Sequence, residues 1–508
     1  IMMFPEDFKA KHNIDVYTQT EVLKINRAEK TITVKDLKNG ETRNEAYDKL
    51  VLATGTEPVM PGSIEGIHSP HVFTIRNVVD IERLQAKLDE ESTKNIAVVG
   101  GGFIGVEVAE NLRKIGKEVT LIEGTKQILA PYDYDMVQIL HKELDDNGIT
   151  LHVSATVTAI ESKQVKAVKD GKEFTVAADA VVMAVGARPK TELAKDAGLE
   201  IGTTGGIWVD HNYRTSDADI YAVGDAIESY NMLAHAPGRI ALAGPAQRQA
   251  RAAADHICGM YNTNKGYIGS SCIKVFGQNA ACTGLNEREA KRLGYSYDSV
   301  MIFPMDRVGL MPGANYMLFK LVFEIPTGRI LGAQAIGTGE CDKRVDVIAA
   351  MITMGGRLED LKELELCYAP PFSTAKDVVN LAALVALNVL NGRIKQVHVD
   401  KVRELVEQGA YIIDVRGAGE LKTGHLKGAH HIPLNELRDR LDEIPRDIPV
   451  YLHCRSSQRS YYATCTLIEN GFTNVYNISG SFLGISLYEY FNDKTQGREP
   501  IVTQYNFE

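Results

Sequence analysis

At 508 residues the chain is too long for one core, and about two to four domains are expected. A hydrophobic fraction of 44% with 24% charged residues describes an ordinary globular protein, and a net charge of −10 argues against non-specific nucleic-acid binding, which needs a basic face, while leaving room for a local basic pocket for an anionic ligand. The seven cysteines (Cys258, Cys272, Cys282, Cys341, Cys367, Cys454 and Cys465) are odd in number and free of C-x-x-C spacing, so they read as reduced cytoplasmic thiols rather than a disulfide framework or a zinc site.

The chain opens Ile1-Met2-Met3 with no visible signal peptide, and residues 1–90 mix short strands (ITVKDL, YDKLVLATG) with a helical pattern near 77–90. The segment IAVVGGGFIGVEVAENLRKIGKEVTLIEG, residues 96–124, then carries the clearest signal. An apolar strand runs into Gly100, Gly102 and Gly105, a helix pattern follows, and a second strand ends on Glu123, which is the order of a dinucleotide-binding βαβ unit. Gly100 permits the tight turn, Gly102 lets a pyrophosphate approach the backbone, and Gly105 lets helix and strand pack closely. The first helical turn, with Phe103, Ile104 and Glu107, adds to the cofactor-binding set, and Glu123 is placed to accept from an adenosine ribose 2′-hydroxyl, favouring NADH. Lys126 lies close enough to leave NADPH open.

An amphipathic helix follows at 133–148, strands at 149–185 close on AVVMAVGARP with Gly186, and DIYAVGDA (219–226) ends a buried strand at Asp225. A small-residue helix spans 244–259. From about 270 the pattern becomes strands followed by helices at 342–355 and 374–390, a separate α+β unit. The apolar VVNLAALVALNVL (378–390) is too short for a membrane span and reads as a buried or interface helix. Asn391-Gly392 marks a linker, and a compact α/β stretch completes the chain. In it VYLHCRSSQRS sets Cys454 between a buried strand and a helix, where backbone N–H dipoles with Arg455 and Arg459 favour a thiolate able to hold a sulfane sulfur.

ATGTEP (53–58), AVGARPKTEL (184–193) and TSDADIYAVGDA (215–226), in this order, resemble the two-dinucleotide flavoprotein disulfide reductases. LAGPAQRQAR (242–251), SSCIKVFG (270–277), CDKRVDVIA (341–349) and CYAPPFSTAKDVVN (367–380) are similar to the coenzyme A-disulfide reductase group, and YIIDVR (411–416), GHLKGAHHIPL (424–434) and the six-residue Cys454–Arg459 loop to a single-domain rhodanese. The resemblance implies an α/β two-dinucleotide-binding flavoprotein fold in five pieces. These are an FAD-binding fragment at 1–93, an inserted NAD domain at 94–211, an FAD return segment at 212–265, an α+β dimerisation domain at 266–390 and an α/β rhodanese domain at 395–508.

It further implies FAD contacts at Thr54, Gly55 and Asp225, with Tyr368 beside the flavin across a homodimer interface. Lys376 and Gln247 would meet a coenzyme A-type ligand, and Asp414 and Arg416 would support the rhodanese loop. Two departures stand out. Leu310-Met311 replaces the usual tyrosine pair before Pro312-Gly313, and no cysteine precedes Cys258 to serve as the family's redox nucleophile, so on the order of 60 residues, about two βαβ units, are expected to be missing at the N-terminus. The expected activity is NAD(P)H-dependent, FAD-containing reduction of a small-molecule coenzyme A disulfide, persulfide or polysulfide, coupled to sulfur transfer at Cys454 in the cytoplasm, without metal, nucleic acid or membrane. A sulfurtransferase on a non-catalytic scaffold and an NADH oxidase or peroxidase are the alternatives.

Overall fold

The computed structural model describes residues 3–507, so the Ile1-Met2 opening lies outside it. The chain divides into two compact units, one of residues 1–57 with 187–267, the other of 58–186 with 268–508.

The first unit holds an antiparallel sheet of Thr20–Asn26, Thr31–Asp36 and Thr42–Ala46, and a parallel pair in which Leu50–Leu52 lies beside Ile220–Ala222. The helix Ala243–Ile257 packs Ala252 and Ala253 onto a core that includes Leu52, Ile207, Ile220, Ala222 and Ile227. Arg27 pins sequence-distant pieces together, bonding Asp217 at 2.7 Å and the carbonyls of Ala197 and Gly198.

The second unit contains four sheets. The nucleotide-type sheet is parallel, in the order Val72–Thr74, Ala180–Met183, Asn95–Val99, Glu118–Ile122, Ile149–His152, with the antiparallel meander Ala155–Glu161, Gln164–Lys169, Lys172–Ala177 as a separate layer. Buried on both faces, its strands are continuous apolar runs such as Ile96–Val99, as parallel pairing demands. The helices Phe103–Lys114 and Tyr134–Asp146 bury Val106, Ala109, Leu112, Leu140 and Leu144 in the core shared with it. The antiparallel sheet that follows runs Ser270–Val275, Gln278–Gly284, Ile330–Gly337, Met317–Glu324, Tyr297–Ile302, with helices Cys341–Met354 and Val378–Leu390. The last sheet is parallel, ordered Lys395–Val397, Val475–Ile478, Val450–His453, Tyr411–Asp414, His430–His431.

The strand pairing moves the expected edges of the inserted domain. Val72–Thr74 pairs with Ala180–Met183, so this unit starts at Pro58 rather than at 94, and Ala194, Leu199 and Ile207 pack in the first unit, so 187–211 belongs there. A three-residue strand carries too little periodicity to be read in advance, and its identity is fixed by its partner alone. No helix is long and apolar enough to cross a membrane among the described residues.

The three five-stranded sheets of the second unit are joined around one buried cation. Lys320, on the Met317–Glu324 strand, is fully buried and bonds Asp135 at 2.8 Å, Glu287 at 2.6 Å and Asp133 at 3.3 Å. Burial disfavours its charge, but the three carboxylates outweigh that and hold its pKa well above the usual lysine range; burial pushes Asp133 up. Gln334 closes the cluster by donating to Asp133 at 2.7 Å and accepting its backbone N–H at 2.7 Å. Lys320→Met leaves three converging carboxylates without their counter-ion and should destabilise this unit by about 3–5 kcal/mol, read as a lower urea midpoint; a change below about 1 kcal/mol would show that the cluster is dispensable.

Candidate active site

The glycine loop forms as its spacing predicts. Gly100 turns with φ +107°, and a Cβ there would lie 2.4 Å from the Ala184 carbonyl oxygen. At Gly105 a Cβ would lie 1.9 Å from the Gly100 oxygen, so only glycine lets the helix rest on the turn. Gly102 is the N-cap of the Phe103–Lys114 helix and stands exposed beside a cleft of about 500 Å³. Gly100, Gly102, Glu123, Gly124, Val185 and Gly186 are among its walls. The structure therefore brings Gly100, Gly102, Glu123 and Gly186 together, with Gly105 buried beneath. Phe103, Ile104 and Glu107 do not line this cleft: Ile104 is half exposed and Glu107 exposed on the helix surface.

Glu123 is held from both sides, accepting from Gly101 N–H at 2.6 Å and Thr125 N–H at 2.7 Å. Each carboxylate oxygen keeps a further lone pair for a ligand hydroxyl. Lys126 turns away, its ammonium 4.7 Å from the Tyr134 ring centre, and no arginine or lysine stands among the described residues of the cleft walls. The cleft thus fits a dinucleotide: a helix N-terminus for the pyrophosphate and a carboxylate, with no cation, at the expected ribose position. Thr125, Gln127 and Thr156 also line it, and no spacing signal marked them.

In the first unit Thr54 donates from Oγ1 to the Lys190 carbonyl at 2.6 Å, and the Gly55 carbonyl accepts from Lys190 N–H at 2.9 Å. Asp225 sits half-buried in the turn after Ile220–Ala222, where burial raises its carboxyl pKa and no hydrogen bond among the described residues offsets it. A carboxylate so placed fits a hydroxyl-bearing cofactor arm, as FAD would offer. Gln247 is exposed on the Ala243–Ile257 helix, whereas the neighbouring Gln249 is buried and accepts from Gly224 N–H at 2.7 Å.

In the second unit Tyr368 is half exposed and Lys376 exposed, on one loop. That loop is anchored by Arg344, which is buried and reaches the Phe372 and Asp306 carbonyls at 3.1 Å and Asp377 at 3.3 Å. Arg344 lies within CDKRVDVIA but was not singled out by sequence reasoning, because nothing in its spacing distinguishes an anchor from a surface cation.

Cys454 follows the Val450–His453 strand and is buried, with the Gln458–Glu469 helix starting four residues on. The Arg459 guanidinium forms a two-point pair with Glu420 at 2.6 and 2.7 Å and also reaches the Cys454 thiol. Arg455 turns to Asn506, donating to its carbonyl at 3.1 Å, so the two arginines flank the loop differently. Beneath it Asp414 and Arg416, both buried, pair at 2.7 Å, with Arg416 stacked 4.1 Å from the Phe482 ring and also donating to the Gly424 carbonyl. His431 meets the Arg416 carbonyl, and His430 stacks on Tyr411. Ser460 and Ser481 place hydroxyls 3.6 and 3.9 Å from the Cys454 sulfur; Ser481 and Glu420 come from elsewhere in the chain and carry no signal in the loop sequence.

Gly105→Ala forces the helix off the turn, which at about 1–3 kcal/mol for overpacking should weaken NADH binding roughly 5- to 150-fold; a fluorescence titration with NADH giving unchanged affinity would refute the assignment of this cleft.

Comparison with known proteins identifies the family. Residues 5–250 match the pyridine nucleotide-disulphide oxidoreductase model, 270–378 that family's dimerisation domain and 398–487 the rhodanese-like domain. The coenzyme A disulfide reductase of Staphylococcus epidermidis is 31% identical over 378 residues, 74% of this chain and 84% of that protein. The NAD(P)H coenzyme A polysulfide/persulfide reductase of Pyrococcus horikoshii is 31% identical over 384 residues, 75% and 84%. Among solved structures, reduced Bacillus anthracis CoADR-RHD matches with TM-score 0.92 and 41% identity over 97% of this chain and 88% of that one. An NAD-dependent persulfide reductase from A. fulgidus matches with TM-score 0.88 and 36% identity over 94% and 87%. The chain belongs to the pyridine nucleotide-disulphide oxidoreductases, with the family's dimerisation domain and a rhodanese-like domain on the same polypeptide.

Proposed function

We propose that this protein is an NADH-dependent flavoprotein that reduces coenzyme A-type disulfides and persulfides, with Cys454 as the sulfur-carrying nucleophile of its rhodanese domain. The observation that carries the reading is that one chain holds both a cation-free dinucleotide cleft at Gly100–Gly105 and a buried cysteine on a six-residue loop faced by Arg459. The reaction is RSSH + NADH + H⁺ → RSH + H₂S + NAD⁺, or for a disulfide RSSR + NADH + H⁺ → 2 RSH + NAD⁺. Bound FAD supplies two-electron transfer between the nicotinamide and a sulfur–sulfur bond. Thr54, Gly55 and Asp225 hold it, while Gly102 and the helix it caps hold the dinucleotide phosphates and Glu123 selects the free ribose hydroxyl. By the family resemblance Lys376 and Gln247 would meet the anionic substrate, and Tyr368 would stand beside the flavin across the homodimer interface. At the second centre Arg459 stabilises the Cys454 sulfur anion, and Arg455 directs the anionic donor.

The chain works as a homodimer in the cytoplasm. Support comes from the dimerisation-domain match and from large apolar side chains left exposed on that domain, Leu310 at 90%, Met354 at 78% and Phe372 at 71%. All seven cysteines are unpaired, as a reducing compartment maintains. Leu310-Met311 removes a hydroxyl pair from the substrate side, which favours a persulfide, needing one thiol pocket, over the bulkier coenzyme A disulfide.

Cys454→Ala should abolish sulfur transfer from persulfide donors and slow NADH-dependent sulfide release at least about tenfold, while NADH still bleaches the flavin. Unchanged sulfide release with every persulfide donor would sink the coupling of the two centres. NADH should exceed NADPH in kcat/KM by at least about tenfold, and equal values would remove Glu123 from the selecting role.

A further inference from the structure

Two serines in backbone that L residues rarely adopt meet at Cys454. Ser457, at the N-cap of the Gln458–Glu469 helix, has φ +76°, and Ser481, the first residue of Ser481–Gln496, has φ +48°. Glycine would take either conformation without strain, so the hydroxyls are what the positions retain. Their oxygens lie 3.2 Å apart. Ser457 also reaches the Ile478 carbonyl at 3.1 Å, tying the cysteine loop to the turn before the last helix.

A hydroxyl has one proton and two acceptor positions. Ser481 Oγ accepts from Cys454 N–H at 3.2 Å, and the single Ser457 proton has two acceptors, the Ile478 carbonyl at 3.1 Å and Ser481 Oγ at 3.2 Å; when it goes to Ser481, the Ser481 acceptor positions are filled. Its own proton is then left for the Cys454 sulfur at 3.9 Å or the Ile478 carbonyl at 3.2 Å, and a sulfur bearing negative charge wins that choice because charge-assisted bonds are the stronger. Ser460, buried and 3.3 Å from Ser481, stands 3.6 Å from the same sulfur and 3.1 Å from the Ser457 carbonyl, so its proton faces the same choice and a charged sulfur decides it the same way.

We propose that Ser457 is a positioning residue for sulfur transfer: it locks Ser481 so that the Ser481 and Ser460 hydroxyls both donate to the anionic sulfur. The inference rests on Cys454 being the nucleophile. In the step it serves, the Cys454 thiolate attacks the outer sulfur of RSSH, a Cys454 S–S bond forms, the R–S–S bond breaks, and the electron pair leaves with RS⁻. Cys–S⁻ + RSSH → Cys–SSH + RS⁻ needs no oxidant. With thiosulfate the same attack releases sulfite.

The test uses the full-length holoprotein with thiosulfate as donor, following sulfur loading on the Cys454 peptide by mass spectrometry and the pH dependence of iodoacetamide alkylation of that peptide. Ser457→Gly relaxes the backbone and removes only the hydroxyl, so it keeps the question open should Ser457→Ala fail to fold. Both variants should move the alkylation midpoint up by about half to one pH unit and slow loading about tenfold, with KM for thiosulfate held within about twofold. Ser481→Ala should do the same, and Ser457→Ala/Ser481→Ala should be no worse than Ser481→Ala, since both act through one bond. A wild-type pH midpoint and loading rate in Ser457→Gly, or additive losses in the double variant, overturn the proposal. If Cys454→Ala still loads sulfur, it is the assignment of the nucleophile that fails.

Discussion

The second unit is organised around an ammonium group buried away from solvent. Lys320 reaches across from the antiparallel sheet to Asp133 and Asp135, at the start of the helix that packs on the nucleotide sheet, and to Glu287 on its own side. Three carboxylates against one buried lysine form an arrangement in which each group depends on the others, and breaking it strands charge in the core. Glu287 also accepts from Ser299 at 2.8 Å, and Gln396, in the strand that opens the rhodanese sheet, donates to the Ser299 carbonyl at 2.8 Å. Nucleotide sheet, dimerisation sheet and rhodanese sheet therefore share one polar junction.

That junction explains why the rhodanese portion does not hang from its linker. Tyr134 donates to Asn492 at 2.9 Å, Lys494 pairs with Asp145 at 2.5 Å, and His141 packs on Phe491, so the last helix lies along the Tyr134–Asp146 helix. The same helix begins at Ser481, whose hydroxyl touches Cys454. A tether raises effective concentration by limiting the volume a module explores. Here packed side chains fix the last helix, and the cysteine loop it carries, against the nucleotide sheet of the same unit.

How much of this was legible in the sequence depends on the range of the interaction. The Gly100–Gly105 turn, Glu123 and the Cys454 loop could be read because backbone geometry imposes residue type at fixed local spacing: a Cβ at Gly105 meets Gly100 itself, five residues away. The helices at 78–88, 134–146 and 341–354 followed from apolar periodicity. The inserted domain's edge did not, because Val72–Thr74 is a strand only by virtue of Ala180–Met183. Arg344, Glu420, Ser481 and the Lys320 cluster were illegible for the same reason, their partners lying tens to hundreds of residues away. Phe103, Ile104 and Glu107 are not among the cleft walls, because proximity to a motif places residues on the right helix, whereas helical rotation decides which of them face the cleft.

The two centres also handle negative charge by different means, and their chemistry requires it. A dinucleotide pyrophosphate must bind, react and leave, so backbone N–H groups at a helix N-terminus suffice, without a side-chain cation that would also favour a 2′-phosphate. In the proposed reaction the sulfur anion at Cys454 is a covalent passenger that must remain nucleophilic, and a direct, permanent ion pair with arginine would quench it. Arg459 is instead committed at its two terminal nitrogens to Glu420, leaving its residual field and one contact for the sulfur, with hydroxyls supplying neutral donors. In a chain with net charge −10, both anions are drawn to local features against the overall field, which puts selectivity in the two pockets and leaves none of it to long-range attraction.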